Sequence, residues 1–374
     1  MKQKEQHSAI PDQETSRLHS SKLSSIYAIP LGIATVVIVG IFLHFISDAF
    51  LTFVAALFLA NIFMPLVALL QKKKVPMVFV ILLVLTIVAS VLFGLVVVID
   101  STINSLVSVM PHYQERWDRV LLPALSALAE KVSPDLKQQL VAFNFSSLLP
   151  PEKIVTAISS LTTLISSFAL ILLFMLFILA SHGQFRIKIE RAFPRSGSFH
   201  LKQIVENIES RVRRYLLTTL VINTVAGVAM TVVLALFGVD LAVLWGMLTF
   251  LLMFIPSIGS IFAISMPLIV CFLQFDYLGT PIIVSIIVIV SQLLIGSYIS
   301  PKVMGSSLNL SPLLILISII FWGWVWGPIG MILAVPITSA ITIIFENIQP
   351  LQPLAILMSA GPPRAKRRTD LPTT

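Results

Sequence analysis

The sequence predicts an all-α polytopic helical membrane protein, with six to eight spans and two segments interrupted by glycine and proline. Three observations carry this. Hydrophobic residues make up 57% of the chain and charged residues 11%, with a mean hydropathy of +0.98, whereas soluble domains are roughly 45 to 50% apolar. The apolar residues gather in runs of about 20 or more, the length a helix needs to cross a hydrocarbon core of about 30 Å. The basic residues concentrate in connectors between runs, as the positive-inside rule gives for cytoplasmic loops. The net charge of +8 therefore needs no nucleic-acid partner. The lone Cys271 lies in an apolar run, where it acts as a small hydrophobe.

In chain order, residues 1–25 are polar and lack apolar periodicity, which predicts a disordered cytoplasmic tail. Three transmembrane helices are expected within residues 26–99, as the runs 26–46, 49–70 and 77–99. The first is longer than the apolar core of a cleavable signal peptide, and Lys72, Lys73 and Lys74 mark a cytoplasmic loop between the second and third. Residues 100–153 lack an excess of Lys and Arg and read as an extracytoplasmic amphipathic segment. Pro111, Pro123, Pro134, Pro150 and Pro151 are expected to cut it into short pieces, and Val120, Leu121, Ala124, Leu125 and Leu128 recur at helical spacing.

Residues 154–181 supply a fourth transmembrane helix. Residues 182–215 form a basic cytoplasmic amphipathic segment with Arg186, Lys188, Arg191, Arg195, Lys202, Arg211, Arg213 and Arg214. Within it Ile204, Val205, Ile208, Val212 and Tyr215 share one face, and Glu209 and Arg213 sit one turn apart on the other. Residues 347–374, with Arg364, Lys366, Arg367 and Arg368, read as a cytoplasmic tail. Of the 25 Lys and Arg residues, only Arg116, Arg119, Lys131, Lys137 and Lys153 fall on the external side in this arrangement.

Residues 216–346 read as a transport core. A fifth span ends at Gly238 and Asp240, and a regular run covers residues 281–299. The runs on either side, 241–275 and 313–345, would reach about 50 Å as straight helices, too long for a single crossing. Each contains a break: FIPSIGSIFAISMP at Phe254–Pro267 and FWGWVWGPIGMILAVP at Phe321–Pro336. Irregular backbone at membrane depth survives only where protein or a water-filled cavity surrounds it, and paired interrupted segments point to the substrate site of a secondary transporter. The candidate substrate path is Pro256, Ser257, Gly259, Gly305, Gly323, Gly327, Pro328, Gly330 and Pro336; kinks or close helix contacts are the plainer use of such residues. Gly327 and Gly330 are expected where no side chain fits. Trp322, Trp324 and Trp326, at every second position, cannot all face one side of a helix.

Two topologies satisfy parity. Each long run crosses once as a broken helix, giving eight spans, or each is a re-entrant hairpin with its tip near Pro256 or Gly327, giving six. Hairpins are favoured. Arms of about 17 residues span about 25 Å, and two units of span plus hairpin in opposite orientation would form an inverted repeat.

The stretches FIPSIGSIFAISMP, SPKVMGSSLNLSP and FWGWVWGPIGMILAVPITS resemble the signature of the AI-2E family, the autoinducer-2 exporter and PerM-like permeases of bacterial inner membranes. The resemblance runs through nearly the whole chain and is most specific over residues 240–345. It implies an inner-membrane permease with both termini cytoplasmic, assembling as a homo-oligomer. Some members export the signalling molecule autoinducer-2 and others exchange sodium for protons. Where members commonly carry Asn and Tyr before the first break and Asn after its proline, this chain has Met253, Phe254 and Ser257. Before the later PxxMG piece it has Ser300 for a Glu and Lys302 for an Arg, and it offers Ile178 near a Glu at the end of the fourth span.

Ionisable residues inside spans are costly and usually functional. Here Asp48, Asp100, Asp240, Asp276 and Glu346 all fall at run ends. That favours an exporter of a small polar or signalling molecule over a sodium/proton-type cation antiporter, with a non-transporting scaffold as the third reading. His44 reads as an interfacial histidine, and Asn61, Asn223 and Gln292 as amides that bond neighbouring helices. The six histidines and the acids show no metal or nucleophile spacing, so no enzyme, cofactor or metal site is expected. The expected partners are the lipid bilayer and a small-molecule substrate.

Overall fold

The computed structural model describes residue 38, residues 40–133, 135, 138, 168–181, 188, 196–256, 258–304 and 310–361. The predicted N-terminal tail, most of the first span, residues 139–167, and the path residues Ser257 and Gly305 lie outside the described residues. After a helical stretch at residues 40–45 come α1 (Ser47–Lys72), α2 (Met77–Arg116), α3 (Leu122–Val132), α4 (Phe168–Ser181), α5 (Ser196–Leu236), α6 (Ala242–Leu252), α7 (Ile258–Gln274), α8 (Gly279–Leu294), α9 (Ser300–Met304), α10 (Pro312–Glu346) and α11 (Gln352–Met358). Wider π turns continue α2 over Trp117–Leu121 and α8 over Ile295–Ile299. Among the described residues the only extended pairing is a bridge between Leu310 and Ser359.

Among the described residues five helical stretches are long and apolar enough to cross a membrane: Phe50–Lys72, Met77–Val98, Lys202–Leu236, Gly279–Ile299 and Pro312–Glu346. The chain is thus a multi-pass helical membrane protein. Its outward faces stay apolar, with Val91, Phe93, Ile283 and Ile286 exposed, because lipid rather than water is their solvent.

Two expected boundaries are absent. α2 does not stop at residue 99 but runs unbroken to Arg116 with Pro111 inside it. Proline removes one intrahelical hydrogen bond, and Pro111 is exposed, where water can satisfy the freed carbonyl. From Ser196 onward the basic amphipathic segment and the fifth span form one helix, α5, and the rest of that segment, apart from residue 188, lies outside the described residues. Its predicted inner face is buried at Val212 and Tyr215, and Glu209 lies 3.9 Å from Arg213 on the other face.

α8 runs antiparallel to α5. Val284 and Val288 meet Met230 and Leu234 near the C-terminal end of α5, while Ile295 meets Ile222 and Ala226 further back. Buried Gln292 reaches the Ala226 carbonyl at 3.5 Å. A third cluster joins α1, α2 and α4 through Ala56, Ala60, Val80, Val84, Met175 and Leu179; the two alanines let the helices approach closely, as small residues do where lipid gives no hydrophobic drive.

Candidate functional site

Both interrupted segments reverse direction. In α10 the backbone leaves helical geometry at Trp326 (φ −130°, ψ 16°) and Gly327 (φ +63°, ψ −147°), the second conformation being open essentially to glycine alone. Beyond it the indole of Trp322 donates to the Thr338 hydroxyl at 3.3 Å. Those residues would stand about 24 Å apart along a straight helix. A Cβ on Gly330 would come within 2.0 Å of the Trp322 carbonyl oxygen, and one on Gly323 within 2.8 Å of the Met331 side chain. We call this reversal hairpin 2.

Hairpin 1 consists of α6, a turn beginning at Met253, and α7. A Cβ on Gly259 would lie 1.8 Å from the Leu252 carbonyl oxygen, so glycine again lets the second arm touch the backbone of the first. The base is stapled by Gln274, which accepts from the Asp240 N–H and donates to the Gly238 carbonyl, both at 2.8 Å.

The hairpins enter from opposite ends of α5. Hairpin 1 follows directly from its C-terminus at Leu236 through Gly238 (φ +66°). Hairpin 2 is tied near the N-terminal half, where Arg211 lies 3.5 Å from Glu346; the two ends are separated by about 37 Å of helix. The extension of α2 beyond Val98 clasps the base of hairpin 1. Tyr113 donates to Asp240 at 2.8 Å, and Arg116 pairs with Asp276 at 2.9 Å and donates to the Phe275 carbonyl. Burial first, and then the Asp240 carboxylate, push the Tyr113 phenol above its ordinary range, so it remains a donor.

The tips converge on the middle of α5. Trp322, Val325 and Trp326 share a cluster with Val212, Tyr215 and Leu216, and Ile255 and Ile258 pack against it. The three tryptophans divide as their spacing requires: Trp322 and Trp326 are buried with ring centres 4.8 Å apart, whereas Trp324 is 55% exposed and stacks on His44. The Trp326 indole donates to the Leu43 carbonyl at 3.3 Å. His44 Nδ1 lies 2.9 Å from the Val325 carbonyl, and since a carbonyl can only accept, that nitrogen carries the proton.

At the tip of hairpin 1 is a cavity of about 280 Å³, lined by Tyr215, Thr219, Ile222, Asn223, Met253, Ile255, Pro256, Ser260, Gly296 and Ser300. Hydroxyl and amide groups alternate with apolar walls and the lining is uncharged. Such a lining can orient a small uncharged solute by hydrogen bonds while its walls exclude lipid. Asn223 is 2% exposed. With both ends of its amide satisfied, its nitrogen donates to the Thr219 carbonyl at 3.2 Å and its oxygen accepts from the Phe254 N–H at 3.1 Å.

The family model for AI-2E family transporters matches residues 33–349. The chain belongs to the AI-2E family. Its relatives include the AI-2 transport protein TqsA of Escherichia coli K12, 30% identical over 335 residues that cover 88% of this chain and 94% of TqsA. A putative transport protein of Borreliella burgdorferi is 28% identical, with 70% of each chain covered. The putative transport protein YhhT of Escherichia coli K12 is 27% identical over 90% of this chain and 95% of its own. AI-2E family membership makes this a membrane transport protein.

Of the nine positions singled out in sequence, the seven that the structure describes are placed unequally in this AI-2E chain. Pro256 lines the cavity, and Gly259 packs the arms of the same hairpin together. Gly323 and Gly330 make the arm contacts of hairpin 2, Gly327 and Pro328 form its turn, and Pro336 is buried in its second arm. Gly330 sits, as expected, where no side chain fits. Gly327 does not: a Cβ there would meet nothing within 4 Å, and its requirement is conformational. Of the cavity groups that sequence reasoning missed, Tyr215, Thr219, Gly296 and Ser300 stand outside the two interrupted stretches, and Ser260 lies within the first of them. Ser300 alone carried a signal, as a departure from the family pattern.

Proposed function

We propose that the protein is a bacterial inner-membrane permease that exports a small polar or signalling molecule, of the autoinducer-2 type, along a path built from the two hairpins. The observation that carries this reading is the cavity at the tip of hairpin 1, an uncharged, hydroxyl-rich pocket bounded by the half-buried broken backbone of Met253, Ile255 and Pro256 on one side and by α5 on the other. Membership of a transporter family and likeness to a protein named as an AI-2 transporter support it. The lining offers hydrogen-bond donors and acceptors without a carboxylate or ammonium, which suits an uncharged solute better than a coupled cation. Hairpins entering from opposite ends would let one tip open while the other stays shut. On this reading both termini are cytoplasmic, the chain works as a homo-oligomer in the bilayer, and it performs no covalent chemistry.

The test is a comparison of metabolites, autoinducer-2 included, in the medium and cytoplasm of cells that overexpress the protein and cells that lack it. Accumulation of a small polar compound outside overexpressing cells and inside deletion cells supports export. Unchanged pools, together with sodium-driven proton movement in membrane vesicles, would favour the antiporter instead.

A further inference from the structure

We infer that Asn223 is a positioning residue that pins the tip of hairpin 1 against α5 and thereby gates the cavity. This rests on the reading of that cavity as the transport site. Asn223 lies inside the helix α5, where its own backbone groups have intrahelical partners, so its side-chain amide is free to serve something else. The amide spans a gap: its nitrogen donates to the Thr219 carbonyl one turn back, and its oxygen accepts the N–H of Phe254. Phe254 lies where α6 has ended. The Leu251 carbonyl, 3.3 Å away, is its other acceptor in a shared bond of the kind found at helix ends.

The Asn223 oxygen is thus the tertiary contact that satisfies the broken backbone on the side facing α5. Without that oxygen the N–H keeps only the longer 3.3 Å bond to Leu251, so the Asn223 contact favours the tip where it is. Asn223 also lines the cavity itself. A solute hydroxyl entering there can occupy the same oxygen and supply the tip N–H with a substitute acceptor. Binding would then release the pin, linking occupancy to movement of the tip. Nothing equivalent holds hairpin 2, whose tip is fixed by two indoles and His44.

The experiment uses purified full-length protein in nanodiscs without added substrate. Hydrogen exchange is followed on the peptide containing Phe254 in wild type, Asn223→Leu and Asn223→Asp. Leucine keeps the branched shape and removes both polar ends; aspartate, ionised or not, keeps an oxygen for Phe254. We expect exchange at Phe254 to accelerate at least tenfold in Asn223→Leu and to stay within threefold of wild type in Asn223→Asp. Reagent access to a cysteine at Ser260, in a Cys271→Ser background, should rise in parallel. Native Cys271, fully buried, reports global unfolding: its labelling should remain slow in Asn223→Leu carrying no other change. Equal acceleration in both variants, or acceleration only together with Cys271 labelling, would overturn the pin in favour of a simple packing role. Because no substrate enters the measurement, that outcome leaves the export reading to its own test.

Discussion

Hairpin 1 turns through an irregular stretch beginning at Met253 and faces small or polar groups, Thr219, Gly296 and Ser300, across its tip. Hairpin 2 turns within Trp326 and Gly327, and the space around its tip is filled by the paired indoles of Trp322 and Trp326. Both use a glycine to bring one arm against a carbonyl of the other, Gly259 on Leu252 and Gly330 on Trp322. Both carry a proline in the second arm, Pro267 and Pro336. The shared plan makes a reversal, and the side chains opposite the tip decide whether it leaves room for a ligand. The denser Gly/Pro cluster therefore belongs to the closed tip.

The comparison fails most completely if the hairpins do not enter from opposite faces. Lys302→Cys and Tyr277→Cys, each in a Cys271→Ser background, place exposed thiols in the chain that precedes hairpin 2 and the chain that follows hairpin 1. With a membrane-impermeant maleimide on intact spheroplasts, Tyr277→Cys should label and Lys302→Cys should not. Labelling of Lys302→Cys from outside, with Tyr277→Cys unlabelled, would mean that each long segment crosses the membrane once.

Next in size are the arm contacts. Gly259→Leu and Gly330→Leu each force a side chain into backbone of the facing arm, and at least a tenfold loss of export is expected from either at normal membrane insertion. Gly327→Ala meets no such obstacle and should cost only the conformational penalty of about 1–3 kcal/mol, read as a lower thermal midpoint. Equal damage from all three would show that space, not backbone conformation, limits the tip of hairpin 2.

The bases should differ more modestly. Gln274→Leu removes two 2.8 Å hydrogen bonds and leaves the Asp240 N–H and Gly238 carbonyl to find other partners, about 1–3 kcal/mol. Arg211→Gln breaks a longer, solvent-accessible pair worth about 0–1 kcal/mol. Unfolding of the purified variants in denaturant would measure both, and a larger loss for Arg211→Gln would reverse the assignment of the tighter base.

Smallest of all, Asp240→Asn and Asp276→Asn should change export less than about twofold, because both acids sit at the base of hairpin 1 and not at the tip. Asn at 240 still accepts from Tyr113, and Asp276 is itself 75% exposed. Loss of a pH-gradient-driven signal in either variant at normal expression would revive the antiporter reading.

The breaks were legible because glycine and proline are costly in a helix unless the backbone must leave it. The face of Val212 and Tyr215, and the ordering of spans, were legible from periodicity. The cavity was not. Thr219, Asn223, Ser260 and Ser300 are single polar residues in apolar surroundings, a pattern that hydroxyls and amides also show when they merely bond a neighbouring helix. The continuation of α2 past residue 99 escaped for a different reason: proline is costly inside a helix, and the packing of Val109, Met110 and Tyr113 with residues of hairpin 1, which offsets that cost around Pro111, is tertiary.

By itself the sequence determined that this chain lives in a membrane and which two of its apolar runs must break, because these follow from run length, charge and backbone chemistry within about twenty residues. Only the tertiary structure decided that the chain turns back at each break and leaves a cavity at one tip. A kinked span and a hairpin have the same composition. They differ in contacts between residues far apart in sequence, such as Trp322 with Thr338 and Gln274 with Gly238, which no local pattern specifies.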